Sequence, residues 1–344
     1  MKKVIRLSFI FLFLFGCSCK KVKNTVETAA GFRPASDKIV LAYTTSWSEI
    51  LPDPLFVTHI NYAFGHVNST FDGIRIDNEE RLKSIIGLKN RKPTLKILLS
   101  VGGWGSGRFS EMAATERTRK SFAADCKRIV DELQLDGIDI DWEYPTSSAA
   151  GISSSPDDTR NYTLLMQEIR AAVGASKLLT LASPAGAKYY DFKSLVSIVD
   201  FVNIMTYDMG NPPRHHSALY PSDNTRMSGR EAVDAHIEAG FPIERLVYGV
   251  PFYGRASGGL PDFIPYKDIV ELKTGERKWD DTAKNPYLVN SEGEIVCVYD
   301  DPESLEIKCA YILERGMAGV MYWDYAGDDA NGTLQKILWQ KIRN

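Results

Sequence analysis

Short apolar runs recur along the chain with helical patterns between them. Ile39 to Tyr43 is the first and His59 to Phe64 the second, followed by a helical stretch from Asn78 to Asn90. Lys96 to Val101 is the third, closed by Gly102-Gly103-Trp104. Phe122, Cys126, Ile129, Val130 and Leu133 then fall at i, i+4, i+7, i+8 and i+11, the stripe of an amphipathic helix. Gly137 to Trp142 is the fourth run, and residues 157–173 read as a helix after Pro156. The fifth and sixth runs are Leu178 to Ala182 and Phe201 to Thr206. Ser228-Gly229-Arg230-Glu231 is a capping box that opens a helix to Ala239. Leu246 to Val250 is the seventh run, Gly319 to Trp323 the eighth, and Leu334 to Ile342 a closing helix.

Strands alternating with helices in this way predict an α/β fold, a (β/α)8 TIM barrel. An open doubly wound sheet also alternates, but it needs no eighth strand, and Gly102-Gly103 is too short for a phosphate-binding turn. One interval breaks the rhythm. About 256–301 there is no helical period, and Glu294 to Tyr299 looks like a strand, so a small α+β insertion is expected between strands seven and eight. Pro302 and Gly316 bracket the returning helix. Barrels of this kind present reactive groups at the C-terminal ends of their strands. Trp104, Glu143, Tyr207-Asp208, Tyr253-Gly254-Arg255 and Trp323 all fall there.

The fourth run carries the strangest pattern. In Asp139-Ile140-Asp141-Trp142-Glu143 the three carboxylates share one face of a strand, and Ile138, Ile140 and Trp142 share the other. Successive carboxylates lie roughly 6.6 Å apart along the strand. Like charges so close do not all ionise cheaply, so one carboxyl should hold a proton near neutral pH and serve as a general acid. No Lys or Arg interrupts the segment to neutralise it. Asp136 has the opposite parity to Asp139 and is expected to accept backbone N–H groups.

Charge and composition narrow the partners. Net charge is -3 and neither half is strikingly basic, so no nucleic acid is implied. The 6 Trp and 16 Tyr suit a carbohydrate cleft as well as an ordinary core. Residues 1–19 read as a leader: Lys2, Lys3 and Arg6, then an apolar stretch from Leu7 to Phe15 too short to span a bilayer. Leu14-Phe15-Gly16-Cys17 is similar to a bacterial lipoprotein cleavage box with Cys17 acylated. Residues 20–36 are a tether, and 37–344 form the barrel domain. The expected location is secreted, or lipid-anchored at a bacterial periplasm or cell surface, with membrane contact through that lipid alone. Cys126 should be buried and inert, and Cys297 and Cys309 are able to pair in an oxidising compartment. His215-His216 reads as a surface loop pair, and no Cys/His cluster has metal spacing.

Taken together the motifs resemble glycoside hydrolase family 18, the chitinases and their relatives. Asp136-Gly137-Ile138-Asp139-Ile140-Asp141-Trp142-Glu143 matches the family's signature, and Ser100 to Trp104, Met205-Thr206-Tyr207-Asp208, Tyr253-Gly254-Arg255 and Gly319 to Trp323 look like its other strand motifs. Trp279-Asp280-Asp281, Pro286-Tyr287 and Tyr299-Asp300-Asp301 are similar to the insertion of chitinase-type members. The resemblance implies a retaining hydrolase cleaving β-1,4 links in glycans containing N-acetylglucosamine, with the substrate's acetamido group as nucleophile. It implies that Glu143 is the acid and base, that Asp141 holds the acetamido N–H, and that Asp139 shares a proton or hydrogen bond with Asp141. Tyr207 would donate to the acetamido oxygen. It further implies a sugar platform of Trp323, with Trp104 and Trp47 under neighbouring rings. Tyr43, Phe64, Gly103 and Met205 would line the pocket, and Asp208 and Arg255 would bond sugar hydroxyls or pair with each other. Trp142 and Trp339 are expected in the core. No metal or cofactor and a monomer are expected. The alternatives are an endo-β-N-acetylglucosaminidase on N-glycans or a peptidoglycan-related substrate, and a non-catalytic chitin-binding lectin.

Overall fold

A computed structural model describes Met1, residues 38–273 and residues 275–343. The leader, Cys17, Cys19 and the tether therefore lie outside the described residues, apart from Met1. All eight runs are strands: β1 (Ile39–Thr45), β2 (His59–Val67), β3 (Lys96–Gly102), β4 (Gly137–Asp141), β5 (Leu178–Pro184), β6 (Phe201–Met205), β7 (Leu246–Pro251) and β8 (Gly319–Trp323). Neighbours pair in parallel from β2 round to β8, and β1 bonds both β8 and β2, so the sheet closes on itself. Closure leaves the eight barrel strands no free edge and gives every strand an inner and an outer face.

Two apolar cores follow from that division. The larger lies between barrel and helices and takes Ile138, Ile140 and Trp142 from β4 and its end, with Phe122, Cys126, Ile129 and Val130 from the helix Glu116–Glu132. Trp142 is wholly buried and stacks on Phe109 with ring centroids 5.3 Å apart. The smaller core fills the barrel with Ile39, Leu41, Phe201, Val247 and Met321. Capping is as the sequence suggests: Ser228 and Glu231 close a reciprocal box on the helix Gly229–Glu238. Asp136 accepts from the Ile97 N–H at 2.9 Å and also meets Lys89 and Lys96. Trp339 is only partly buried and packs against the rim of the larger core.

The insertion is larger in strand content than the sequence showed. It is a five-stranded antiparallel sheet in the order Phe263–Pro265, Tyr253–Ala256, Ile295–Val298, Asn285–Val289, Glu276–Asp280. It begins at Tyr253 because that strand leaves β7 after one intervening residue, too abruptly for any period to register. One open question is answered here and one expectation fails. Cys297 and Cys309 are both free and buried, one in the insertion sheet and the other on the helix Pro302–Glu314, so no disulfide joins them. His215 and His216 are not on the surface; both are fully buried, because their loop is folded under the insertion. Among the described residues no helix is long and apolar enough to cross a membrane.

A buried ion pair ties the insertion's return to the barrel. Lys308 on the helix Pro302–Glu314 donates to Asp300 at 2.6 Å and to the Ser217 carbonyl at 2.6 Å, and Ser304 also donates to Asp300 at 2.6 Å. Deleting one partner strands a charge in a dry interior. Lys308→Ala is therefore expected to cost about 3–5 kcal/mol, read as a lower denaturant midpoint. The double variant Asp300→Leu with Lys308→Met should recover most of that loss, since it leaves no buried charge; an unchanged midpoint for Lys308→Ala contradicts the account.

Candidate active site

The alternation of β4 sends Asp139 and Asp141 into the barrel and Ile138 and Ile140 out of it. The register then places Ser100 of β3 on one flank of Asp139 and Thr180 of β5 on the other. Both hydroxyls donate to it, at 2.8 and 2.5 Å. Tyr43 donates from β1 at 2.8 Å and the Asn203 amide from β6 at 3.3 Å. Burial raises the pKa of Asp139, and these four donors pull it back down. All four of these donors belong to the barrel wall.

Asp141 sits above it with no such support. Its Oδ1 is buried and has no hydrogen-bond partner among the described residues. Burial, then the neighbouring Glu143, then Asp139 push its carboxyl well above the usual range. Burial also lifts Glu143, up to about 7, with the Tyr144 hydroxyl opposing and the Asp208 charge assisting. Asp141 and Glu143 titrate as a pair, so near neutral pH the two hold at least one proton between them. Close approach of the backbone makes this arrangement possible: a Cβ on Gly102 would stand 2.0 Å from the Asp141 carbonyl oxygen, at a φ of +133°.

These carboxyls form the floor of a cleft of about 640 Å³ at the C-terminal end of the barrel. Trp323 lies beside them, 5.7 Å from Tyr43, 5.7 Å from Phe64 in a stacked pair, and 6.4 Å from Trp47. Trp47 and Trp104 stand 65 % and 64 % exposed on the cleft walls, which is costly for indoles unless a ligand covers them. Met205 and Tyr207 complete the pocket, the Tyr207 hydroxyl lying 3.9 Å from the Met321 sulfur. Gly103 does not line it. It lies under Phe64, whose ring a Cβ would meet at 2.6 Å, and its N–H donates to the Asp141 carbonyl at 2.8 Å.

Asp208 and Arg255 face the cleft as a bidentate pair, at 2.7 and 2.9 Å. His216 stands 3.6 Å behind Asp208. Burial works to raise the Asp208 pKa, but His216 and Arg255 together win and hold it well below the usual carboxylate range. Several cleft residues escaped the sequence reading: Tyr144, Asn211, Asp262 and Phe263, whereas Tyr253 was placed at its strand end without a role. Tyr144 adjoins the acidic motif and carried that signal. Thr180 and Asn203 were visible only as polar residues inside apolar runs, and Ser100 only as the first residue of its strand motif. Asp262 and Phe263 lay in the aperiodic interval and carried none. Among the described residues no group of three or more His, Cys, Asp or Glu is placed to hold a metal ion.

Comparison with known proteins places the fold among solved structures and the sequence among named relatives. Chitinase A1 of Niallia circulans is 36% identical over 339 residues, which cover 84% of this chain and 47% of that protein. The chain thus spans about half the length of that relative. The structure of a family 18 N-acetylglucosaminidase from Paenibacillus barengoltzii matches with a TM-score of 0.82 and 36% identity, over 89% of this chain and 100% of that one. A class V chitinase from Nicotiana tobaccum in complex with NAG4 matches at 0.77 and 26%, over 89% and 99%. Residues 39–328, from the first residue of β1 to beyond the end of β8, match the model for glycosyl hydrolases family 18, and the chain belongs to that family.

Proposed function

We propose that the protein is a retaining glycoside hydrolase that cleaves β-1,4 links between N-acetylglucosamine units, using the substrate's acetamido group as nucleophile. The observation that carries this reading is Asp141: a buried carboxyl with one oxygen unpartnered, beside an acid poised near neutrality. An acetamido N–H supplies the missing partner. Relatives named as chitinases and the solved complex with NAG4 support the substrate class.

The residues divide the work as follows. Trp323 carries the sugar ring on the cleaved side. Glu143 gives its proton to the glycosidic oxygen as the bond to the anomeric carbon breaks, and the electron pair leaves with that oxygen. The acetamido carbonyl oxygen attacks the anomeric carbon, forming a cyclic oxazolinium ion. Asp141 holds the acetamido N–H and offsets the positive charge that develops. Tyr207 donates its hydroxyl to the acetamido oxygen and orients it. Glu143, now a carboxylate, takes a proton from water, whose oxygen attacks the anomeric carbon and opens the ring with retained configuration. Asp139, pinned by four donors, holds a charge or proton beneath Asp141 without moving.

Glu143→Gln should keep oligosaccharide binding and lower kcat by about 10²–10⁴-fold on an N-acetylglucosamine tetramer. Calorimetry and product release check this, and undiminished turnover overturns the role of the acid. The acid must be protonated in the free enzyme, so kcat/KM should fall as pH rises through about 7. Asp208→Asn removes a negative charge that favours the protonated form, so the pKa of Glu143 drops and that alkaline limb should move to lower pH. A limb that moves upward contradicts the electrostatics. Finally, acetylated and deacetylated oligomers, with a biantennary N-glycan alongside, test the nucleophile and the substrate. Cleavage is expected of the acetylated oligomer; equal rates on the deacetylated one exclude substrate assistance, and preference for the N-glycan replaces chitin as the substrate.

A further inference from the structure

The end of the barrel opposite the cleft, where the strands begin, carries a ring of cations. Lys38 precedes β1 and donates to the Met317 carbonyl just before β8. Lys92 donates to the Val57 carbonyl before β2 at 2.7 Å, and Lys177 to the Leu135 carbonyl before β4 at 2.7 Å. Arg245 precedes β7 and donates to the Asp200 carbonyl before β6 at 2.7 Å. A carbonyl oxygen accepts such a bond but carries no full charge, so each cation keeps its own. An uncharged donor would cap the same oxygens, so capping explains where these side chains lie and not the sign of the surface.

Carboxylates offset only part of this charge. Asp136 lies between Lys89 and Lys96, at 2.5 and 3.2 Å, and Asp200 bonds Arg170 at 2.6 Å. Glu244 adjoins Arg245. Lys38, Lys92 and Lys177 have carbonyl partners and no carboxylate partner among the described residues. The field converges on His59, the first residue of β2. Burial drops its pKa to about 4; Asp136 opposes, and Lys96, Arg343 and Lys92 push it down further. The cleft end has the opposite sign, with Glu143, Asp208 and Asp262 on its lining. Cations gathered at one end of a chain whose net charge is -3 polarise it along the barrel axis. The chain also enters the barrel at this end, at Lys38, with residues 2–37 before it.

We propose that this end of the barrel is a docking face for a membrane of anionic, phosphate-bearing lipids, which leaves the cleft facing away from the bilayer. The attraction is electrostatic. Each basic group close to such a bilayer is drawn by its negative surface potential, which fades within a Debye length. The docking does not depend on the glycosidase reading.

The test is flotation of the full chain with phosphatidylcholine vesicles, with and without phosphatidylglycerol. The parent should bind the anionic vesicles at low salt and leave them at high salt. The triple variant Lys38→Gln, Lys92→Gln, Lys177→Gln keeps a donor for each carbonyl and loses the charge. Its bound-to-free ratio should fall about 5-fold for each charge, about 100-fold in all. Residues 2–37 are common to both chains, so the comparison reads the barrel face. Lys188→Gln, Lys267→Gln, Lys278→Gln, from the cleft end and the insertion, should bind within about twofold of the parent. Equal losses in the two triple variants overturn the face, as does parent binding that ignores phosphatidylglycerol or salt. Retention on polyglutamate without binding to vesicles gives the face to an acidic protein and overturns the lipid reading.

Discussion

Closing a parallel sheet into a barrel forces alternate residues of every strand into a dry interior, and this chain spends that constraint on carboxyl groups. A carboxylate moved out of water loses several kcal/mol of solvation unless it is paired or hydrogen-bonded. Asp139 meets the requirement with donors from four different strands, which only a closed barrel brings to one point. Asp141 does not meet it, and its unpaired oxygen and raised pKa are the consequence. The polar layer at Asp139 thus lies beneath a second buried carboxyl whose Oδ1 has no side-chain or backbone donor among the described residues.

The gradient along β4 separates the roles. At the deep position many donors immobilise the group. In the middle, burial and two like-charged neighbours keep a proton at hand. At the mouth, Glu143 feels burial, a local hydroxyl and the distant Asp208, and settles near neutrality. Asp208 is itself governed from outside the barrel, by Arg255 on the insertion sheet and by His216 beneath it. The insertion therefore acts on Glu143 through charge as well as shaping the cleft. It is anchored for that purpose by a buried lysine and aspartate whose loss would loosen the return helix and the loop at Ser217 together.

Much of this was readable from residue types in order. The two-residue alternation of Asp139, Asp141 and Glu143 against Ile138, Ile140 and Trp142 determined which side chains enter the barrel, since a strand has no other way to arrange them. The eight apolar runs and their helical stripes determined the barrel for the same local reason. Capping at Ser228 and the backbone role of Asp136 also needed only neighbours in sequence. Tertiary structure decided the rest. Register, which no single strand encodes, chose Ser100 and Thr180 as the partners of Asp139. Folding of the insertion buried His215 and His216, kept Cys297 apart from Cys309, and carried Phe263 from an aperiodic stretch to the cleft wall. Local periodicity reports which face a residue takes; contacts between residues far apart in the chain depend on how the elements pack, and only the folded whole contains that information.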